Sequence, residues 1–160
     1  MNQKLTLAGL DKMANQIRQD IIKMLEHAGS GHSAGPLDLA DIFTALYFNI
    51  LKHDPKNPDW AERDILLLSN GHCVPVRYAT MAEAGYFDKK ELMTLRKLGS
   101  RLQGHPERQR LPGLENTSGP LGSGLSQAAG MAYSLQYLDE IKNRWIYIIM
   151  GDGELDEGNT

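Results

Sequence analysis

Apolar residues recur at helical spacing in the first third of the chain. Between residues 7 and 27 they return at steps of three and four, which is the repeat of an amphipathic helix. The glycines and serine at 29–31 end this segment. A second helix is predicted to begin at about Pro36, which suits a first helical turn, and to end near residue 51. Its apolar residues lie on nearly all sides, which indicates deep burial.

Two short apolar runs, at 64–69 and 145–150, have the pattern of buried parallel strands. Between these runs we predict helices at 73–84, 88–98 and 123–140. Helices that alternate with buried strands indicate an α/β fold, with a doubly wound, mostly parallel sheet flanked by helices. In such sheets, ligands bind beyond the carboxyl ends of the strands.

A long segment at 99–124 is rich in glycine, proline, serine and charged residues. A loop of this length in a compact domain is usually functional or disordered. Its last part, Thr-Ser-Gly-Pro-Leu-Gly-Ser-Gly at 117–124, leads into a predicted helix, so its backbone N–H groups suit an anion. The pattern matches neither the Walker motif nor the dinucleotide fingerprint, so a nucleotide site is not indicated. A flexible surface loop is the alternative.

Composition narrows the classes of function. Apolar residues make up 41% and charged residues 23% of the 160 residues, as in ordinary soluble proteins. The net charge of −3 offers no basic field for nucleic acid, and no apolar run is long enough to span a membrane. The single cysteine, Cys73, excludes an internal disulfide and suits a reducing compartment. We therefore predict a cytoplasmic protein that binds neither nucleic acid nor membrane.

The second apolar run ends in Gly151-Asp152-Gly153. Glycines here let the backbone turn sharply and bring the carboxylate close to a ligand. A carboxylate beside a phosphate is repulsive unless a divalent cation lies between them, so Asp152 suggests Mg²⁺ bridging to a diphosphate. The alternative is a tight turn in which the aspartate only caps the backbone.

Three histidines, His32, His72 and His105, each follow a glycine in a predicted loop. Histidine titrates near neutrality and exchanges protons readily, as a sugar-handling site requires. A solvated surface position is the alternative for each of them. A zinc site is disfavoured, because no histidine pair has the spacing of helical ligands and Cys73 has no companion cysteine.

The remaining histidines, His27 and His53, lack such a context and are interpreted as surface residues. Several arginines lie close to His105 in the sequence. These suit either a phosphorylated substrate or a solvated loop, and they are Arg101, Arg108 and Arg110.

Taken together and in order, these motifs resemble the transketolase family, from about Ala8 to the last residue. One such motif alone is a weak signal, whereas six in the family's order and approximate spacing make a strong match. The matching segments are Ser-Gly-His at 30–32, Leu-Ser-Asn-Gly-His at 68–72, Gly-His-Pro-Glu at 104–107, Leu-Pro-Gly-Leu-Glu at 111–115, Thr-Ser-Gly-Pro-Leu-Gly at 117–122 and Gly-Asp-Gly-Glu-Leu-Asp-Glu-Gly at 151–158.

The resemblance implies an enzyme that uses Mg²⁺ and thiamine diphosphate to move a two-carbon ketol unit. The donor would be a ketose phosphate and the acceptor an aldose phosphate, in the non-oxidative pentose phosphate pathway. It implies that Asp152 is the Mg²⁺ ligand, that Gly153 lies beside the diphosphate, and that His72 lies near the same end of the cofactor. Loop residues are also implied to contact the cofactor, and these are Gly119, Pro120 and Leu121.

The resemblance also implies the substrate and partner contacts. His32 and His105 would face the sugar phosphate and, with His72, form the catalytic histidines. Glu157 would lie at an interface near the partner's cofactor site. The implied partner is the pyrimidine-binding, C-terminal domain or subunit of a transketolase, in a homo- or hetero-oligomer.

Residues 1–160 are interpreted as the N-terminal part of a thiamine-diphosphate-binding domain. In the family, the motif that opens at Gly151 closes further along the chain with an asparagine that completes the Mg²⁺ shell. The resemblance therefore implies that residues 1–160 contain neither this ligand nor the pyrimidine-binding domain, and the chain alone is expected to be inactive.

Two alternative functions remain open from the sequence. The first is a related thiamine-diphosphate enzyme, dihydroxyacetone synthase or deoxyxylulose-phosphate synthase, because fold does not determine function. The segments 104–107 and 119–122 resemble transketolase more than the latter synthase. The second is a non-catalytic, truncated subunit that only assembles with a partner.

Overall fold

The computed structural model of the protein describes residues 4–139, 141 and 143–160. Helices pack on both faces of a parallel sheet, so the predicted α/β fold is confirmed. Within the described ranges, no helix combines the length and the apolar character needed to cross a membrane.

Helix α1, Leu7–Ala28, matches the first predicted helix. Its start is capped by Thr6, whose hydroxyl oxygen accepts a hydrogen bond from the Gly9 backbone N–H at 3.2 Å. It ends at Gly29, which has a φ of 66° and donates back to the last turn. One stripe of the helix is buried, and it contains Ala14, Ile17, Ile21 and Met24.

The second predicted helix is divided. It forms α2, Ala34–Asp38, then α3, Ala40–Ala45, and a π-helical turn, Leu46–Ile50. The prediction of one continuous and deeply buried helix is therefore wrong. The two short helices are separated at Leu39, where ψ is −5°, and the apolar residues are not buried on all sides, since Ile42 is 48% exposed.

Strands β1, Ile65–Leu68, and β2, Ile146–Ile149, pair in parallel. Ile65 lies opposite Ile146 and Leu68 opposite Ile149. The strand prediction at 64–69 is confirmed, with every β1 residue buried. Strand β2 also forms as predicted, but it is only half-buried, because β1 is its only neighbouring strand within the described residues.

Helix α4, Val74–Ala84, follows β1 after a short 3₁₀ turn and confirms the helix predicted there. The helix predicted at 88–98 is shorter and has 3₁₀ geometry, Lys89–Thr94. Helix α5, Ser123–Tyr133, continues as a π-helical turn, Ser134–Leu138. The predicted end of this helix at residue 140 lies outside the described residues.

The two faces of the sheet pack against different helices. Leu66 and Leu68 of β1 join the core made with α1, α3 and α4, whereas Ile65 and Leu67 pack against α5. This arrangement follows from the alternation of side chains along a strand. Because both faces are covered, β1 is a continuous apolar run, as a doubly wound sheet requires.

The long loop between the 3₁₀ helix and α5 is packed against the rest of the molecule. Leu102, Leu111 and Leu114 are buried in the main core. Glu115 forms an ion pair with Arg63, and both side chains are largely buried. The part of the loop from Leu102 to Glu115 is therefore joined to the core.

Candidate functional site

The carboxyl ends of β1 and β2 meet at one edge of the sheet. Ser69 and Asn70 follow β1, and Gly151 follows β2. The N-terminus of α5 reaches the same edge, where the Gly124 backbone N–H donates to the Ser69 hydroxyl oxygen at 3.1 Å. This is the edge at which ligands bind in doubly wound sheets.

The three predicted histidines come together beside this edge. The ring centroids of His32 and His72 are 5.1 Å apart. Burial lowers the pKa of His105 below its usual value, and the nearby His32, His72 and Arg96 lower it further. His105 is therefore neutral at pH 7 and is able both to donate and to accept a hydrogen bond.

Arg96 completes the wall around these histidines, and sequence reasoning missed it. Its φ of 61° is unusual for a residue other than glycine, and its backbone N–H donates to the Leu102 carbonyl at 2.9 Å. Its guanidinium lies against Gly104, where a Cβ would be 3.0 Å from Nε. No carboxylate of the described residues pairs with it. A left-handed backbone conformation at an arginine cannot be recognised from the pattern of apolar and polar residues.

The arginines considered from the sequence lie elsewhere. Arg101 forms a bidentate ion pair with Glu91, and Arg110 forms an ion pair with Glu107. Arg108 contributes its backbone N–H, which donates to the Thr117 hydroxyl at 3.1 Å. The side chains of Arg101 and Arg110 are therefore already engaged by acidic residues.

The glycine-rich loop packs tightly against the end of β1. A Cβ on Gly71 would lie 2.8 Å from the carbonyl carbon of Ser118, so only glycine fits this contact. Gly119 lies beside His105, where its Cβ would be 3.8 Å from the ring. Pro120 and Leu121 are exposed at the tip of the loop. The structure thus brings Gly119 next to the histidines and leaves the next two residues open to a ligand.

Glu154 is a second residue that sequence reasoning did not single out. It is 1% exposed and lies in a 3₁₀ turn, Asp152–Asp156, directly after β2. Its Oε2 accepts a hydrogen bond from the Gly151 N–H at 2.8 Å, and its Oε1 accepts one from the Gly122 N–H at 2.9 Å. The Gly-Asp-Gly-Glu motif that contains Glu154 is visible in the sequence. Its burial is not, because it depends on the glycine-rich loop packing over it.

Asp152 and Gly153 are exposed at the end of β2. The Asp152 Oδ1 accepts a hydrogen bond from the Gly153 N–H at 2.9 Å, and nothing lies within 4 Å of the position of a Gly153 Cβ. Within the described part of the chain, no group of three or more aspartate, glutamate, histidine or cysteine side chains is arranged so that it could hold a metal ion by itself. Mg²⁺ typically binds one or two carboxylates together with phosphate oxygens, so a single aspartate beside open space fits a diphosphate-bound ion.

Glu157 lies next to the glycine-rich loop. A Cβ on Gly122, which has a φ of 78°, would be 2.5 Å from the Glu157 Cβ, so the two segments touch at this point. The Glu157 side chain is exposed. It is thus on the surface close to the site and not among the three histidines.

Two buried polar atoms at this edge have no hydrogen-bond partner within the described structure. They are Oδ1 of Asn70, which follows β1, and Oγ of Ser118, in the glycine-rich loop. Buried polar groups are nearly always hydrogen-bonded, so unpartnered ones point to a missing ligand or water. By contrast, burial raises the pKa of the nearby Cys73 thiol to about 11, which keeps it a neutral, inert residue.

Comparison with known proteins gives a consistent result. The family model described as "Transketolase, thiamine diphosphate binding domain" matches residues 10–160. The 6-deoxy-6-sulfo-D-fructose transketolase subunit SqwG of Clostridium sp. (strain MSTE9) is 44% identical over 93% of this chain and 54% of its own length. Transketolase 2 of Escherichia coli (strain K12) is 40% identical over 91% of this chain and 23% of its own.

A solved transketolase structure from Leishmania mexicana superposes with a TM-score of 0.89 and 34% sequence identity. The match covers 98% of this chain and 24% of that protein. The chain therefore spans about half the length of the first relative and about a quarter of the other two.

Proposed function

Because the chain belongs to the transketolase family, whose thiamine-diphosphate-binding domain matches residues 10–160, we propose that it forms part of a transketolase. The reaction transfers a two-carbon ketol unit from a ketose phosphate to an aldose phosphate in the non-oxidative pentose phosphate pathway. The observation that carries this proposal is the convergence of His32, His72 and His105 beside the carboxyl ends of both strands.

The cofactors in this proposal are thiamine diphosphate and Mg²⁺. When bound, thiamine diphosphate supplies the electron sink that carbon–carbon cleavage needs. Asp152 would hold the Mg²⁺, and Gly153 would let the diphosphate approach the backbone. The exposed tip of the glycine-rich loop, Pro120 and Leu121, would contact the cofactor together with Gly119.

The three histidines have different roles in this proposal. His72 follows β1 and would lie near the diphosphate end of the cofactor. His32 and His105 would bind hydroxyl groups of the sugar and move protons. A neutral His105 suits this work, because it can accept a proton from a hydroxyl near pH 7. Arg96 would add a positive charge for an anionic substrate.

The proposed substrates are sugar phosphates, and the proposed partner is the pyrimidine-binding, C-terminal domain or subunit. Residues 1–160 would be the N-terminal part of the thiamine-diphosphate-binding domain, within a homo- or hetero-oligomer. The exposed Glu157 would face the partner's cofactor site. A cytoplasmic location remains a prediction from the single Cys73. The relatives reported above carry transketolase names, which does not favour either related synthase.

A coupled assay with xylulose 5-phosphate and ribose 5-phosphate tests this proposal in the complete protein or complex. We expect Mg²⁺-dependent turnover, and Asp152→Ala should abolish it together with Mg²⁺-dependent cofactor binding measured by calorimetry. Asp156→Ala is the matched control, since Asp156 is an exposed carboxylate of the same 3₁₀ turn and should leave both unchanged. Unchanged cofactor affinity in Asp152→Ala would refute the metal assignment.

A further inference from the structure

Glu154 is the most buried carboxylate among the described residues, at 1% exposed, compared with 3% for Asp20 and 8% for Asp64. No positively charged side chain pairs with it. A carboxylate removed from water without such a partner needs hydrogen-bond donors to compensate its lost hydration. Its contacts therefore carry information about what it does.

The Glu154 carboxylate accepts hydrogen bonds from three separate segments of the chain. The Ser69 hydroxyl and the Gly122 N–H both donate to Oε1, the latter at 2.9 Å. The Gly151 N–H donates to Oε2 at 2.8 Å. The Ser69 oxygen in turn accepts from the Gly124 N–H at 3.1 Å, at the start of α5. The carboxylate thus connects the end of β1, the glycine-rich loop, the start of α5 and the turn after β2.

We propose that Glu154 is a positioning residue that sets the shape of the diphosphate and metal site without touching the ligand. This inference rests on the proposed function. By engaging the N–H of Gly122, it fixes the loop so that its tip, from Gly119 to Leu121, faces outward. By engaging the N–H of Gly151, it fixes the turn from which Asp152 projects. The ligand class served is a diphosphate with its divalent cation.

A purely structural role for Glu154 predicts different results from a positioning role. Glu154→Gln preserves the shape of the side chain, but its amide NH₂ must face one of three hydrogen-bond donors. That donor–donor contact repels the Gly122 or the Gly151 segment. We expect the dissociation constant for thiamine diphosphate at saturating Mg²⁺ to rise roughly 10-fold or more, while kcat at saturating cofactor changes much less.

Three further variants make the test specific. Ser69→Ala removes one donor and the link to Gly124, so it should weaken cofactor binding in the same direction but less. The double variant with Glu154→Gln should be less than additive, because both residues act in one network. Asp20→Asn is the matched control: Asp20 is also a buried carboxylate, but it lies on α1 and pairs with Lys89. It should lower the Tm without changing cofactor affinity.

Hydrogen exchange in the cofactor-free protein provides a readout that does not depend on activity. The amides of Gly122 and Gly151 should exchange faster in Glu154→Gln than in the unmodified protein, and Asp20→Asn should leave them protected. The proposal is overturned if Glu154→Gln lowers the Tm as Asp20→Asn does but leaves both amide exchange and cofactor affinity unchanged. If the unmodified complex binds no thiamine diphosphate, the proposed function fails. Faster exchange of these amides in Glu154→Gln would then support only the contact that fixes the loop.

Discussion

At the level of single residues, His53 lies between two aromatic rings with both ring nitrogens hydrogen-bonded. Its Nε2 lies 2.6 Å from the Tyr47 carbonyl, and its Nδ1 lies 2.9 Å from the Tyr86 hydroxyl. Its ring stacks on Tyr86 with centroids 5.7 Å apart. A carbonyl only accepts, so Nε2 carries the proton and Nδ1 accepts from the tyrosine. The interpretation of His53 as a surface residue is therefore wrong.

This environment makes stability depend on pH. Burial lowers the pKa of His53 below its ordinary value, so the unfolded chain binds the proton more readily than the folded one. The stabilisation is complete above about pH 6.5 and is lost as pH falls from there toward the folded pKa. His105 has a pKa lowered in the same direction and adds to the effect. We expect the Tm of the complete protein to fall between pH 7.5 and 5.5.

His53→Gln removes one of these titrations and should lower the Tm at pH 7.5 but flatten its decline toward pH 5.5. His27→Gln is the control, because His27 is exposed on α1. Thermal unfolding at several pH values measures both. A decline equally steep in His53→Gln and in the unmodified protein would contradict the assignment.

Single-residue environments also explain what sequence patterns find and miss at the site. The glycine–histidine pairs are visible because glycine favours a turn, from which the following histidine can reach a pocket. Arg96 and Glu154 are not visible in this way, since a left-handed backbone and a buried carboxylate depend on segments distant in the sequence. The environments of Arg96 and Glu154 form only when the long loop packs against them.

At the level of elements, the side chain of Asn116 substitutes for a neighbouring strand at the free edge of β1. Its Oδ1 accepts from the Leu68 N–H and its Nδ2 donates to the Leu68 carbonyl, both at 3.4 Å. The same amide nitrogen donates to Gln127 of α5 at 3.3 Å. One residue of the long loop thus joins the sheet to the helix that covers it.

Asn116→Ala should leave two buried backbone groups of Leu68 without partners. The expected loss of unfolding free energy is about 1–3 kcal/mol, which a denaturant titration measures. Asn57→Ala is the control, since Asn57 is an exposed asparagine in a loop. Equal stability of the two variants would show that water replaces the lost contacts.

The elements themselves were predictable where local pattern and tertiary structure agree. Helix α1 has a cap, an apolar stripe and a terminal glycine, and β1 is a short apolar run between polar residues. The break at Leu39 and the 3₁₀ geometry of Lys89–Thr94 were not predictable, because packing against other elements sets them. Propensity describes a segment alone, and these segments fold against neighbours.

At the level of the whole molecule, large apolar side chains are exposed around the end of α5 and the start of β2. The ring centroids of Tyr133 and Tyr137 are 4.8 Å apart, and both residues are 61% exposed. Trp145 is 69% and Leu138 is 70% exposed. Large apolar side chains exposed close together in this way typically contact other chains or domains.

We expect the isolated 160-residue polypeptide to self-associate through this surface. Tyr137→Lys should raise the monomer fraction in size-exclusion chromatography with light scattering. Ile22→Lys is the control, since Ile22 is also exposed, at 55%, but lies on α1. A monodisperse monomer with a sharp, cooperative thermal transition would contradict this expectation.

The amide of Asn116 has a further consequence, for the direction in which the sheet can grow. At Leu68 it occupies the hydrogen-bonding groups that another strand would need, so the edge of β1 is closed there. The outer edge of β2 has no such closure among the described residues. We therefore expect a further parallel strand to pair beside β2 and not at Leu68, by a right-handed crossover.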